Sequence, residues 1–227
     1  MPIATFKDLV IDVSDAERMS GFWASALGLD VYRYDTDDIV LRGPTPQHGV
    51  WINQVPEPRT VKQRVHIDVH AASVAEYEGF GATVLPEWSG QPWTVMGDPE
   101  GGEMCVFVRE QVPAYRLYEI GVDSRDPVRI ATWWADVLGA RMGREDEEDF
   151  AYVDEIPGAP FDSIDFAAVP EPKTVKNRIH WDVTVDSADA LEDLKGAGAT
   201  VLRARDPEIG WTVMADPEGN EFCVFTD

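Results

Sequence analysis

The chain has 227 residues, and its 42 acidic against 19 basic side chains give a formal net charge of −23 at pH 7. Such a charge repels phosphate backbones and anionic lipid, so neither nucleic acid nor membrane is an expected partner. A hydrophobic share of 44% with 8 Trp, 6 Tyr and 9 Phe excludes a disordered chain.

No run approaches the roughly 20 apolar residues of a membrane span, and Met1 to Asp15 shows no basic-then-apolar leader, so the expected location is the cytoplasm. Alternation over Phe6 to Val13 predicts a half-buried opening strand. Ser14 followed by Glu17 reads as a capping box. Met19, Phe22, Trp23, Ala26 and Leu27 then recur at helical spacing until Gly28 closes the helix. Strands are expected at Val31 to Tyr34, Ile39 to Arg42 and Val50 to Val55. The pattern restarts with a strand from Arg64 to His70 and a short helix from Ser73 to Phe80. Three strands follow, Thr83 to Leu85, Trp93 to Met96 and Glu103 to Val108. Farther on, Asp126 caps a helix, Pro127 takes its first position, and Gly139 ends it; Ile130, Trp133, Trp134, Val137 and Leu138 form its stripe. The acidic run Gly143 to Phe150 reads as a solvated turn.

The second half restates the first. VPEPRTVKQRVHIDV at Val55 to Val69 returns as VPEPKTVKNRIHWDV at Val169 to Val183, with 11 of 15 positions identical. WTVMGDPEGGEMCVF at Trp93 to Phe107 returns as WTVMADPEGNEFCVF at Trp211 to Phe225, with 12 of 15 identical. The offset grows from 114 to 118 residues, and the second copy has the longer inner helix, Ser187 to Lys195. A period this long means tandem domains, since solenoid repeats run at roughly 20–50 residues. The expected units are residues 1–111 and 112–227, joined near Arg109 to Arg116. Each is expected to pack by itself as a pair of βαβββ modules around one curled mixed sheet with outer helices, an α+β fold. The assembly is expected to be a two-domain monomer or a homodimer. The only cysteines, Cys105 and Cys223, hold equivalent places in separate repeats, so they read as reduced strand residues.

The order βαβββ-βαβββ, the helix ending in Leu-Gly, and the closing strand after Asp-Pro-Glu-Gly resemble the vicinal oxygen chelate superfamily. That group includes glyoxalase I, bleomycin-resistance proteins, fosfomycin-modifying enzymes and extradiol dioxygenases. The wording VPEPKTVKNRIHWDV…WTVMADPEGNEFCVF is most similar to its bacterial glyoxalase-like branch, and the resemblance covers nearly the whole chain twice. It implies a curled sheet whose inner face holds the chemistry, without naming a substrate.

In a strand, residues two apart share a face. Lys62, Arg64, His66 and Asp68 therefore form a column that Lys176, Arg178, His180 and Asp182 repeat, and two of only four histidines stand in it. His66 and His180 match the position where the resemblance implies a metal ligand or general base. The alternative is a histidine bonded to the following Asp as part of the inner wall. A neighbouring carboxylate is expected to favour the imidazolium, so that the base form appears above the ordinary value of about 6.5.

The resemblance also implies a ligand in the last strand, usually Glu. Cys105 and Cys223 stand there, with Glu103 and Glu221 two residues upstream, and Asp8 and Glu119 hold the equivalent places on the opening strands. The candidate metal set is thus His66, Asp8, Glu103, Cys105, His180, Glu119, Glu221 and Cys223. No uniform His/Glu set exists, so an octahedral site of the glyoxalase I type is not expected. If a divalent metal is held, Zn²⁺ fits better than Ni²⁺ or Mg²⁺. Trp51, Trp93 and Trp211 are candidates for stacking a flat ligand, with core packing the alternative for the last two. Arg64 and Arg178 could bind an anionic substrate or pair with Glu103 or Glu221.

The functional expectation is a superfamily enzyme, a lyase, isomerase or oxidoreductase, acting on a small oxygenated or aromatic metabolite in a cup. His66 with Asp68 and His180 with Asp182 would carry its chemistry. The alternative is a metal-free protein of the bleomycin-resistance type that sequesters an antibiotic or metabolite.

Overall fold

The computed structural model describes residues 2–36, 38–144 and 149–226. Residues 145–148, the middle of the acidic run read as a turn, lie outside the described residues.

Four βαβββ modules follow one another. The first is β1 (Thr5–Val13), α1 (Ala16–Leu27), β2 (Asp30–Arg33), β3 (Ile39–Arg42) and β4 (Val50–Gln54). The second is β5 (Val65–Ala71), α2 (Val74–Phe80), β6 (Thr83–Val84), β7 (Thr94–Gly97) and β8 (Glu103–Val108). The third is β9 (Leu117–Ser124), α3 (Pro127–Leu138), β10 (Arg141–Arg144), β11 (Phe150–Asp154) and β12 (Ser163–Ala168). The fourth is β13 (Ile179–Val185), α4 (Ala188–Gly196), β14 (Thr200–Arg203), β15 (Thr212–Ala215) and β16 (Glu221–Thr226).

Two mixed eight-stranded sheets result, and their composition corrects one expectation. The first sheet runs β14-β15-β16-β13-β1-β4-β3-β2 and the second β10-β11-β12-β9-β5-β8-β7-β6. Modules one and four therefore share a sheet, as do modules two and three; neither half of the chain builds a sheet by itself. At each centre two opening strands pair antiparallel, β1 with β13 and β5 with β9. Each then pairs parallel with the last strand of its own module.

The helices interlock what the sheets divide. α1 buries Met19, Phe22, Trp23, Ala26 and Leu27, and α3 buries Ile130, Trp134, Val137 and Leu138, as the 3.6-residue spacing dictates. Trp134 of module three packs edge-on against Trp181 and Phe222 of module four, with ring centroids 4.8 and 5.1 Å apart. Tyr77 of module two donates its hydroxyl to the Ala26 carbonyl of module one at 2.6 Å. One continuous apolar core thus runs through all four modules. Each fully buried large side chain in it contributes about 1.5–3 kcal/mol.

The start of α1 differs from the expected capping box. Asp15 is the cap, accepting the Arg18 N–H at 3.0 Å. The N–H groups of Ser14 and Asp15 go instead to the Glu100 carboxylate, from the Asp-Pro-Glu-Gly turn of module two, at 2.8–2.9 Å. Glu218 repeats this at Arg125 and Asp126. A carboxylate brought to a helix N-terminus satisfies orphan donors and meets the positive end of the dipole.

Candidate functional site

Each sheet turns one face to the apolar core and carries polar side chains on the other, the cup face. In the second sheet, His66 and Asp68 project from β5 on the face opposite Val65, Ile67 and Val69, which join the core. The register sets Asp68 beside Cys105 of β8 and Glu119 of β9, and Gly121 beside both His66 and Asp165. Met104 and Val106 belong to the core, whereas Cys105 is buried on the cup side. The fold therefore gathers His66, Asp68 and Cys105, with one donor atom of each within 4.8 Å of the others. His66 Nε2 stands 3.3 Å from Asp68 Oδ1, and that oxygen is buried without a hydrogen-bond partner.

The first sheet repeats the trio with His180, Asp182 and Cys223. There His180 Nε2 lies 3.8 Å from Asp182 Oδ1 and 3.7 Å from Cys223 Sγ, and Asp182 Oδ1 is again buried and unpaired. Tetrahedral zinc with bonds of about 2.0–2.3 Å needs donors about 3.3–3.8 Å apart. The His66–Asp68 distance and those from His180 to Asp182 and Cys223 fall in that range, and nitrogen, oxygen and sulfur are zinc donors; the residues fit such an ion.

Burial governs protonation here, and it reverses the expected imidazolium. Burial pushes His66 down to about 4, while Asp123 pulls it up and Lys62 down. His180 falls to about 3, again chiefly through burial, with Lys176 adding to the fall. Burial holds Asp68 well above the usual carboxylate range, and the charges of Glu119 and Asp165 add to this. Asp182 is raised in the same way by burial and by Asp8. In each cup burial thus favours the uncharged form of both the histidine and the aspartic acid, because desolvation outweighs the pairing of opposite charges. Burial also raises both thiols, with Asp68 and Asp182 as the next cause.

The cups differ in what surrounds the trio. In the second sheet Glu119 rises to about 7 through burial and the Asp165 charge, with Tyr118 and Ser163 opposing. Asp165 rises to about 6 through burial, while the Ser163 hydroxyl, donating at 2.6 Å, holds it back. In the first sheet the equivalent carboxylate, Asp8, is engaged: it accepts from Lys7 at 2.6 Å and from the Trp51 indole at 3.0 Å. The His66 side chain is 22% exposed and that of His180 only 7%, so His66 is the more accessible of the two.

Other candidates lie elsewhere. Glu103 accepts from Arg59 and from the Gln63 N–H, and Glu221 from Lys173 and the Asn177 N–H. Both anchor the loops before β5 and β13 and stand outside the donor trios. Arg64 donates to the carbonyls of Glu171 and Asp123, and Arg178 to those of Glu57 and Asp12, instead of pairing with Glu103 or Glu221. Trp93 stacks on Phe107 and Trp211 on Phe225, at 5.3 and 5.4 Å, both half-buried. Trp51 stacks on Tyr34 at 5.8 Å.

Sequence reasoning missed Asp165, Ser163 and Gly121. The alternation Ser163-Ile164-Asp165-Phe166 carries a signal for the first two, since it puts both polar groups on one face.

A family model described as "Glyoxalase-like domain" matches residues 8–107 and again 119–225. Among solved structures, glyoxalase I from Zea mays aligns with a TM-score of 0.68 at 14% identity, covering 97% of this chain and 92% of that one. A candidate dioxygenase from Bacillus subtilis aligns with a TM-score of 0.63 at 16% identity, covering 98% of this chain and 85% of that one. Likeness at such identity shows the fold and leaves the chemistry to the side chains. No curated protein matches significantly. Among the described residues no helix is long and apolar enough to cross a membrane.

Proposed function

Because the chain belongs to the glyoxalase-like domain family, carrying two copies of the domain, we propose that it is an enzyme of proton transfer on a small oxygenated metabolite. The second-sheet cup is its working site. The observation that supports this most directly is the cluster of His66, Asp68 and Cys105, donor atoms within 4.8 Å of one another, beside a carboxyl, Glu119, raised to about 7. A general base works best with a pKa near the operating pH, and Glu119 meets that condition through burial beside Asp165. His66, Asp68 and Cys105 would hold a Zn²⁺ ion, which when bound polarises a substrate oxygen. Glu119 would take a proton from the substrate, Asp165 would keep Glu119 basic, and Tyr118 would steady it through the hydroxyl that already meets it. The soft thiol in place of a hard oxygen ligand disfavours an octahedral site of the glyoxalase I type.

A second reading attaches to the other cup. Lys7 and Trp51 occupy Asp8, and Tyr34, Trp51 and Arg42 form a half-open aromatic cluster over it, with Arg42 5.3 Å above Tyr34. That arrangement suits holding a flat ligand better than moving a proton.

The test is metal content together with deuterium uptake at the carbon beside the carbonyl of 2-oxo acids and α-hydroxy ketones. Zinc should bind, Asp68→Asn should lose it from the second-sheet cup, and Glu119→Gln should keep it while losing exchange. Exchange retained in Glu119→Gln, or an undiminished zinc content per chain in Asp68→Asn, would sink the assignment.

A further inference from the structure

The two repeated loops, through residues 55–64 and 175–178, line one cavity of about 680 Å³. Five bases line it, Arg59, Lys62, Arg64, Lys176 and Arg178, against two acids, Asp12 and Glu57. In a chain with 42 acids and 19 bases that is a reversal of the average charge.

Three of the five cations are matched by carboxylates. Arg59 pairs with Glu103 at 3.1 Å, Lys62 with Asp123 at 2.6 Å, and Lys176 with Asp12. The other two are held differently. Arg64 and Arg178 bond backbone carbonyls across the repeat, Arg64 to Glu171 at 2.8 Å and Arg178 to Glu57. A carbonyl fixes a guanidinium in place and leaves its charge uncancelled. The Arg64 Nε–H is buried with no partner at all. Among the described residues, no carboxylate lies within ion-pair distance of either guanidinium.

The walls between these cations are in part apolar. Val61 and Val175, equivalent residues of the two loops, are 43% and 42% exposed, and Val55 and Pro58 lie in the lining with them, among the polar Thr60, Gln63 and Asn177. Exposed apolar surface enclosed in a concave site favours an occupant that covers it, and the volume is that of a small-molecule pocket. Two guanidinium charges in its lining that no carboxylate cancels attract an anionic group. We propose that this cavity binds a small organic carboxylate with an apolar body.

Octanoate is the probe and octan-1-ol its uncharged control, both titrated calorimetrically into the full chain. One octanoate per chain should bind, with octan-1-ol at least tenfold weaker. Val61→Asp and Val175→Asp place a repelling charge on walls already open to solvent, so the fold survives, as circular dichroism will register. Each should weaken octanoate at least tenfold, whereas His66→Ala should leave it unchanged. The proposal is overturned by an absence of saturable binding, by equal binding of octan-1-ol, by undiminished binding in both aspartate variants, or by loss of binding in His66→Ala.

Discussion

The imidazole of His66 occupies the space where Gly121 would carry a side chain: a Cβ on Gly121 would stand 2.3 Å from both Cε1 and Nε2 of the ring. At the equivalent register of the first sheet, His180 faces Val10. One missing side chain therefore lets His66 settle over β9, within 3.3 Å of Asp68, while His180 lies 3.8 Å from Asp182. The two cups share a donor trio and differ in the floor beneath it.

Gly121→Ala should accordingly displace His66 and disable the second-sheet cup alone. Forcing a methyl into a filled site costs about 1–3 kcal/mol, which a thermal or denaturant melt will register. Zinc bound per chain should fall by the share of one cup. Unchanged zinc stoichiometry in a folded Gly121→Ala protein would show that the ring position does not matter.

Protonation in the metal-free protein gives a second expectation. A histidine depressed by folding contributes stability that is complete above its unfolded value near 6.5 and is lost as pH falls through its folded value. For His66 that folded value is about 4 and for His180 about 3. Their ring signals should therefore remain those of neutral imidazole from pH 8 to pH 5; a midpoint near 6.5 for either would contradict the burial argument. Glu119 works in the opposite sense, because its folded value is raised to about 7. Its contribution is complete below about 4.3 and disappears as pH rises through 7. Glu119→Gln should hence lose less stability than the parent between pH 5 and pH 8. Parallel melting curves across that range would refute the raised carboxyl.

Zinc uptake should release protons, and the donors are identifiable. Neutral His66 has none to give, whereas burial shifts both Asp68 and Cys105 toward the protonated form. Each proton displaced makes affinity rise about tenfold per pH unit. Calorimetry in buffers of different ionisation enthalpy should thus count one to two protons per zinc at pH 7. Cys105→Ser should lower that count as well as the affinity. A count of zero would place the metal elsewhere.

Much of this was legible in the residues, because strand and helix periods are local. The stripe from Met19 to Leu27 and the Asp126-Pro127 start of α3 match the structure. So does the His-x-Asp column, since alternation alone puts His66 and Asp68 on one face. What escaped was long-range. Internal repetition shows that modules one and three are alike, as are two and four; it carries no information on which opening strands pair. Nor does the spacing of Glu103 reveal that Arg59 and the Gln63 N–H, 40 or more residues away in sequence, will occupy it. The histidine charge state is long-range in the same way. Asp68 is adjacent in sequence, but the burial that outweighs its charge is supplied by β8, β9 and β12.

The sheet pairing makes its own prediction about the halves of the chain. In a fragment of residues 1–111, β1 would lack β13 and β5 would lack β9, since each central pair joins strands of opposite halves. Two opening strands would then present unpaired edges beside exposed apolar residues, a template for association. The fragment should not behave as a folded monomer; it should aggregate or pair with a second copy, whose β5 edge is equally bare. Mixing it with a fragment of residues 112–227 should restore a one-to-one complex with both sheets complete. Size-exclusion chromatography with denaturant melts decides the matter. A monomeric 1–111 fragment with one cooperative unfolding transition would mean that a half can complete a sheet by itself.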